Sequence, residues 1–446
     1  MRKHFLIDRA KHRRILAISL PAALNSLLDM LQVISDLKMV GSLASSAFAV
    51  AAVGVGLQSL MFVFAFLTLF HVGTNALISR FYGAKQMKRA SLSLASLLRF
   101  ALVVSLGVAL LWYFLAGAIY DAYGVVDEVR VLGVAYVKVL TWMMPFVFLK
   151  LVFVSALSAT GNTKTPMLIK LGAIVFNVGL NYLLIFGHGG FPALGVVGAG
   201  IATVLVNILE LVIYLILYLK GRTPFIPLWR YSQSLLRRAL KVGIPSSLER
   251  GLTFGSFMLF TAIIAGFGTQ VLAGYQIGLR IEGLAFMPGI GFTIAAMALM
   301  GQGLGRGAPE QSREDVLLVL KYAIGLMFVL SFFMIFLPEP MVRFFTKDPQ
   351  TIEAGSLYLQ IVGLSQIPLA FNFVLSGALR GAGDSKRTLK INLLSLWLVR
   401  IVPALVLSWY FEDILWVYLA MIADTLVKAI LLWRAFDGGG WQRIKI

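Results

Sequence analysis

The segment Ala159-Thr-Gly-Asn-Thr-Lys-Thr-Pro-Met-Leu-Ile-Lys170 returns in the second half of the chain as Gly381-Ala-Gly-Asp-Ser-Lys-Arg-Thr-Leu-Lys-Ile-Asn392. The two segments are 222 residues apart, and an Ala-Leu dipeptide precedes both of them at the same offset. Further out, Ser19-Leu-Pro-Ala-Ala-Leu24 resembles Gly243-Ile-Pro-Ser-Ser-Leu248, two residues out of that register. The chain is therefore an internal duplication, and we predict a fold of two similar halves.

The composition is that of a membrane protein. Apolar residues form 59% of the 446 residues and charged residues only 13%, which is about half of the charged fraction of a typical soluble domain. Since a spanning helix needs roughly 20 apolar residues, a dozen helices with short loops use nearly the whole chain. The sequence contains no cysteine, which excludes disulfides, thiolate metal sites and a cysteine nucleophile.

Apolar segments bounded by charged residues, glycine or proline predict twelve transmembrane helices. The predicted spans are 15–37, 47–72, 92–116, 131–156, 166–187, 193–219, 238–264, 273–300, 316–337, 355–379, 388–409 and 412–434. Because each half holds an even number of spans, the two halves have the same orientation. We therefore predict an all-α polytopic membrane protein, in which two parallel six-helix repeats surround a central cavity that binds substrate near the midplane.

The duplication also predicts the domain organisation. We expect an N-terminal six-helix lobe at 1–219, a cytoplasmic linker at 220–237 and a C-terminal six-helix lobe at 238–446. The linker is a polar stretch between the sixth and seventh predicted spans.

Positive charge is distributed unevenly between the two sets of loops. The formal net charge is +19, yet one set of loops carries only Lys38, Arg130, Arg343 and Lys347 of the basic residues. The positive-inside rule then places the other loops and both termini in the cytoplasm, so the excess charge requires no nucleic-acid partner. The basic residues before the first apolar run mimic a signal peptide, but the repeat places that run inside the fold, and we interpret it as an uncleaved first helix.

Four longer motifs resemble the multidrug and toxic compound extrusion (MATE) family. Tyr275-Gln-Ile-Gly-Leu-Arg-Ile-Glu-Gly-Leu-Ala-Phe-Met-Pro-Gly-Ile-Gly-Phe-Thr-Ile-Ala-Ala296 is similar to its helix eight, and Leu379-Arg-Gly-Ala-Gly-Asp-Ser385 to the loop after helix ten. Leu183-Leu-Ile-Phe-Gly187 and Gly195-Val-Val-Gly-Ala-Gly-Ile-Ala-Thr203 are similar to helices five and six. The resemblance covers the whole chain and is strongest to the prokaryotic branch that includes DNA-damage-inducible protein F.

The resemblance implies a secondary antiporter in the inner membrane of a prokaryote. Such a protein exports small organic compounds, often cationic and amphipathic, against an inward flow of protons or sodium ions. It has no cofactor other than this coupling ion and no catalytic residue, so it is not an enzyme. We expect a monomer that contacts membrane lipid.

The resemblance also implies a cation-coupling site. Asp36 matches the aspartate of the first helix that responds to cations in this branch, and Asn177, Asn181 and Thr203 match its companions on helices five and six. Asn181 departs from the pattern, which has a second carboxylate at that position. One carboxylate with amide and hydroxyl oxygens suits either a proton or a sodium ion, the one metal ion that we expect here.

Other ionisable residues at bilayer depth are candidates for binding cation or substrate, because such groups are costly to bury. Asp29 lies seven residues before Asp36 and therefore on the same helical face. In the second half the candidates are Glu249, Arg280 and Glu282, and we expect Arg280 to pair with Glu249 on the neighbouring helix. The aspartate that other branches of the family carry on helix ten has no counterpart between 367 and 375.

Further intramembrane features have a simpler explanation. The i,i+4 spacing of Asp424 and Lys428 predicts a local ion pair. Methionine and phenylalanine recur along several predicted helices and suit bulky cations, although ordinary helix packing uses the same residues. These residues are Met61, Phe62, Phe64, Phe66, Phe286, Met287, Met297 and Met300.

Three other functions are considered. The first is a flippase for a lipid-linked oligosaccharide or another lipid, which needs a more cationic cavity for pyrophosphate. The second is a lipid scramblase or channel. The third is an intramembrane enzyme, for which neither a catalytic dyad nor a metal cluster is evident. No Walker motif is present, so the energy for transport must come from an ion gradient.

Overall fold

The computed structural model describes residues 2–43 and 46–444, with side chains at 9–43 and 47–444. This part of the chain is almost entirely helical and contains no β-strand. The α-helices are α1 Arg2–Val40, α2 Ser46–Gly83, α3 Met87–Ala122, α4 Asp127–Thr141, α5 Met144–Ala159, α6 Lys164–Phe186, α7 Gly195–Leu219, α8 Gln233–Ala265, α9 Thr269–Gly305, α10 Pro309–Phe336, α11 Pro338–Arg343, α12 Pro349–Leu364, α13 Gln366–Gly381, α14 Ser385–Ser395, α15 Val402–Phe411 and α16 Ile414–Asp437. A π-helical segment, Leu396–Ile401, joins α14 to α15, and a 3-10 turn, Gly440–Arg443, follows α16.

The number of membrane-crossing helices agrees with the sequence. Among the described residues, ten helices are long and apolar enough to cross a bilayer, and the number rises to twelve if each of two bent helix pairs is one span. The pairs are α4 with α5 and α12 with α13. Each predicted span coincides with one of these twelve elements, so the predicted all-α, twelve-span architecture is confirmed.

The two bent spans occupy equivalent places in the two halves. The axes of α4 and α5 differ by 49°, and those of α12 and α13 by 54°. Pro145 and Pro368 lie four residues after Thr141 and Leu364, the last residues of α4 and α12. Proline has no N–H and its ring clashes with the carbonyl four residues earlier, which favours a helix end at that place. The apolar pattern continues through both breaks, and for this reason the sequence predicted unbroken spans.

The structure contains two compact units. The N-terminal unit is Asn25–Gly243, and the C-terminal unit is Met1–Leu24 with Ile244–Ile446. The divisions fall inside α1 and α8, close to Pro21 and Pro245, which interrupt neither helix. The lobes at 1–219 and 238–446, with a linker at 220–237, stay a prediction.

The segment between α7 and α8 is attached to α3 within the N-terminal unit. The Ile226 N–H donates to Ser91 Oγ at 2.9 Å, and the Ser232 N–H donates to Ser96 Oγ at 2.9 Å. Phe225 is buried. The segment that we predict as a linker is therefore fastened by side-chain acceptors of α3.

The repeat is visible in the packing of small against aromatic residues. Gly56 of α2 faces Tyr136 of α4, where an added Cβ would lie 3.1 Å from the ring. Gly278 of α9 faces Tyr358 of α12, where an added Cβ would lie 2.2 Å from the ring. Both members of the second pair follow those of the first by 222 residues. The same glycine–tyrosine contact therefore holds equivalent helices together in each half.

Candidate functional site

Asp36 of α1 contacts the two asparagines of α6. Asn181 Nδ2 donates to Asp36 Oδ1 at 2.6 Å and to Asn177 Oδ1 at 3.2 Å. The asparagines are four residues apart, so they share one face of α6, and both are fully buried. The structure thus brings three of the four predicted coupling residues into one hydrogen-bonded group.

Thr203, the fourth predicted coupling residue, lies outside this hydrogen-bonded group. Its hydroxyl donates to the Ala199 carbonyl of its own helix at 3.0 Å. With Asp36 it lines a cavity of about 470 Å³ inside the N-terminal unit. Thr203 therefore shares a cavity with Asp36 without a direct bond to it.

A network of charged side chains lines the same cavity. Asp29 Oδ1 lies 2.7 Å from Lys170 Nζ of α6. The same Nζ donates to Gln32 Oε1 at 2.7 Å and lies 3.9 Å from Glu210 Oε1 of α7. Glu210 is also paired with Lys150 of α5. Asp29, a candidate for binding cation or substrate, is thus one end of a four-residue ion-pair chain.

Sequence reasoning assigned no role to Lys150 and Lys170. The sequence pattern could have identified them, because a lysine inside an apolar span is as costly to bury as a carboxylate, and Lys150 interrupts the apolar α5. With these two lysines, the cavity lining carries two ammonium groups against the carboxylates of Asp29, Asp36 and Glu210. The lining therefore has an excess of one negative charge when all five groups are ionised.

The rest of the cavity wall is apolar. Met61 and Phe64, two of the side chains noted in the sequence, line it together with Met143 and Met144. Thioether and aromatic groups offer polarisable surface that adapts to ligands of different shape. The cavity thus combines a compact charged region with an adaptable apolar surface.

The predicted partner of Glu249 is wrong. Glu249 Oε1 lies 2.6 Å from Arg380 Nη2 of α13, and the side chains of Thr388 and Asn392 on α14 also donate to this carboxylate. Arg280, which we expected to pair with it, has an exposed side chain on α9. Both arginines lie in the C-terminal unit, but the packing of this unit places α13 and α14, and not the middle of α9, against the buried carboxylate.

Glu282 has a different environment from Glu249. It is 5% exposed, and its Oε2 accepts a hydrogen bond from the Tyr358 hydroxyl of α12 at 2.6 Å.

The predicted local pair of α16 is confirmed, since Lys428 Nζ lies 2.8 Å from Asp424 Oδ2. Among the described residues, no group of three or more His, Cys, Asp or Glu is placed to hold a metal ion.

A dozen membrane-crossing segments with an internal repeat and an ionisable cavity define a polytopic membrane transporter. The family model described as MatE matches residues 21–183 and 245–406, once in each half. The chain belongs to the MATE family. The predicted family is thereby confirmed, and its members are transporters without a cofactor, not enzymes.

Known proteins resemble this chain over nearly its whole length. A protein of Thermotoga maritima named probable multidrug resistance protein NorM is 31% identical, over 97% of this chain and 93% of the relative. A Vibrio cholerae MATE transporter structure superposes with a TM-score of 0.89 at 21% identity, over 97% of each chain. A MOP superfamily transporter from Pyrococcus furiosus gives the same score, identity and coverage. At this identity the two structures show the fold alone, and the predicted branch within the family stays a prediction.

Proposed function

We propose that this protein is a multidrug antiporter that exports organic, cationic and amphipathic compounds in exchange for protons, with Asp36 as the proton-binding group. The observation that carries this proposal is the bond between Asn181 and Asp36 at the edge of an ionisable cavity. The multidrug resistance name of the Thermotoga maritima relative supports the substrate class.

The position of Asn181 favours a proton over a sodium ion. Its amide nitrogen lies between Asp36 Oδ1, at 2.6 Å, and Asn177 Oδ1, at 3.2 Å. A sodium ion that bound both of these oxygens would have to take the place of this nitrogen, because hard cations bind oxygen ligands. An amide N–H₂ already fills it and donates to both oxygens. Asp36 then changes charge by binding a proton, for which no further oxygen ligand is needed.

The charges of the cavity explain how proton binding and cation binding exclude each other. With Asp36 ionised, three carboxylates face Lys150 and Lys170, and the lining attracts a cation. With Asp36 protonated, two carboxylates balance two ammonium groups and that attraction disappears. A proton therefore displaces the cation by electrostatics, without the two ligands having to share one position.

The apolar wall supports amphipathic substrates. A hydrophobic cation places its charge near the carboxylates and its rings against Met61 and Phe64, where aromatic and thioether groups favour it. A pH difference of one unit supplies about 1.4 kcal/mol for each proton that is exchanged, which supports a roughly tenfold concentration gradient of the substrate.

We further propose that the protein lies in the inner membrane of a prokaryote as a monomer with both termini cytoplasmic. The support is the charge asymmetry of the loops, because the positive-inside rule orients the chain by its basic residues. The flippase alternative has weaker support, since the two lysines of the cavity are already paired with carboxylates and leave little positive charge for a pyrophosphate.

The test is transport of ethidium, a fluorescent organic cation, in proteoliposomes under separately imposed gradients. We expect an outward cation flux that follows the pH gradient and is unchanged by a sodium gradient. A flux driven by sodium alone would contradict proton coupling. Flux of a fluorescent lipid with none of ethidium would favour the flippase. Empty liposomes and liposomes with the Asp36→Asn variant serve as controls.

A further inference from the structure

The buried carboxyl groups of the structure differ in how their charge is compensated. Among the residues whose side chains are described, the deeply buried carboxyls are Glu210, Glu249, Glu282, Asp315 and Asp424. Four of them have a lysine or arginine nitrogen within 4.0 Å. Glu282 is the exception in this part of the chain.

The surroundings of Glu282 offer hydroxyls in place of an ion pair. Tyr358 donates to its Oε2 at 2.6 Å, and the rings of Tyr275 and Tyr418 lie 5.1 Å and 5.3 Å from the Tyr358 ring. Among the described side chains, Arg400 provides the positive charge that acts on Glu282 through space. Its guanidinium lies over the Phe260 ring at 4.4 Å and forms no ion pair with the carboxyl.

One neutral hydroxyl compensates a buried charge only in part. An ionised carboxylate in such a place must be paired, or else it takes up a proton and becomes neutral. We propose that Glu282 is a second proton-binding site, separate from Asp36, so that the transporter exchanges two protons for each substrate. This inference rests on the proton exchange proposed above and adds its stoichiometry.

The repeat supports this assignment independently. Tyr358 follows Tyr136 by 222 residues, and Tyr136 lines the cavity of Asp36. Asp36 resembles Glu282 in that its hydrogen-bond donor, Asn181, is neutral. Each half of the duplicated fold therefore combines the same tyrosine with a carboxyl that has no ion pair among the described side chains.

Arg400 gives the site a way to release its proton. It lies on the π-helical segment Leu396–Ile401, and single π-helical turns are frequent at functional sites. When Glu282 loses its proton, the Tyr358 hydroxyl stabilises the charged carboxylate directly, and Arg400 supplies positive charge nearby. The carboxyl can thus exist in both protonation states during a cycle, which a permanent ion pair would prevent.

The limiting ethidium gradient measures the number of protons. With a pH difference of one unit, a two-proton exchanger reaches a gradient of about 100-fold and a one-proton exchanger about 10-fold, since each proton adds the same driving force. Exchange of two protons for one monovalent cation also moves net charge, whereas a one-to-one exchange does not. We expect about 100-fold and a response to membrane potential for the wild type. For Glu282→Gln we expect about 10-fold without that response.

Infrared spectroscopy of the purified protein tests the site without transport. We expect the carbonyl band of a protonated carboxylic acid in the wild type at neutral pH, and its loss in Glu282→Gln. Tyr358→Phe should shift the band, because it removes the hydroxyl bonded to the carboxyl. Tyr418→Phe is the matched control from the same aromatic cluster, since its hydroxyl is buried without a hydrogen-bond partner, and it should leave the band unchanged.

The outcomes separate this inference from the proposed function. If Glu282→Gln keeps the wild-type gradient and potential response, or keeps the full carboxylic acid band, the second proton site is wrong even though proton-coupled export stands. If the pH gradient drives no ethidium flux in the wild type, the proposed function is wrong, and the infrared band still decides whether Glu282 holds a proton. Where Glu282→Gln does not fold, an identical band in Tyr358→Phe and the wild type overturns the inference.

Discussion

Replacement of Asp36 by asparagine removes the one ionisable side chain from the group formed with Asn177 and Asn181. The amide is nearly isosteric with the carboxylate, and its oxygen can still accept the hydrogen bond that Asn181 donates at 2.6 Å. A hydrogen bond to a charged group contributes about 1.5–3 kcal/mol and one between neutral groups about 0.5–1.5 kcal/mol. The loss of roughly 1 kcal/mol is offset because a neutral group is cheaper to bury. We therefore expect normal expression and a nearly unchanged free energy of unfolding.

The effect on transport should be large. Asp36→Asn leaves the cavity with two carboxylates and two lysines at every pH, so cation binding no longer responds to protons. If a bound cation lies about 6 Å from residue 36 and the effective dielectric constant is about 20, the lost attraction is roughly 3 kcal/mol. We expect the wild type to bind ethidium roughly 100-fold more tightly at high than at low pH. The variant should bind with the weak, low-pH affinity throughout and should hold no gradient.

The assay is ethidium binding to purified protein as a function of pH, together with flux in proteoliposomes. Asp29→Asn is the matched control, because Asp29 lines the same cavity but is paired with Lys170, and its variant should keep a pH response. A stable Asp36→Asn protein that pumps at the wild-type rate would refute the coupling role of Asp36. An unstable one would show that Asp36 only braces α1.

Three further predictions concern stability and topology. Lys150→Met leaves the buried Glu210 with only Lys170 at 3.9 Å and should lower the free energy of unfolding by roughly 3–5 kcal/mol. Thermal unfolding in detergent measures this loss. The additional change Glu210→Gln should recover most of it. Ser91→Ala with Ser96→Ala removes two acceptors that fasten the segment between α7 and α8, so limited proteolysis there should become faster; an unchanged cleavage rate would mean that these bonds do not anchor it. A periplasmic reporter fused to the carboxyl end should be inactive, and an active one would contradict the cytoplasmic position and the even number of spans.

The positions of the spans were predictable because the bilayer imposes a strong constraint on every one of them. Roughly 20 apolar residues are required for each crossing. Because of the duplication, each helix boundary of one half has an equivalent boundary in the other half, which checks it. The breaks at Pro145 and Pro368 were less predictable, because proline interrupts some helices and not others. Pro21 and Pro245 lie within continuous helices of the same structure, so the proline alone does not indicate a bend.

The partners of the ionisable residues were the least predictable part of the site. The sequence shows that Glu249 needs a cation, but Arg280 and Arg380 are equally suitable by residue type. Only the packing of α13 and α14 beside α8 selects Arg380. The hydrogen bond from Asn181 to Asp36 followed from matched positions, whereas the ion-pair chain from Asp29 to Lys150 requires four helices to meet at one depth.

The duplicated positions separate residues that serve the packing of both halves from charged residues that occur in the first half alone. Glycine and tyrosine are retained at the contact that joins equivalent helices, as Gly278 and Tyr358 show for the second half. The lysines are not retained, since the residues 222 positions after Lys150 and Lys170 are Asn372 and Asn392. Asn392 donates a hydrogen bond to Glu249, whereas the equivalent residue of the first half, Lys170, forms an ion pair with Asp29. An amide keeps the hydrogen bond but carries no charge. The two halves therefore share one frame, while the charged cavity belongs to the first half. The proton that we propose for Asp36 would change a charge balance that the second half does not repeat.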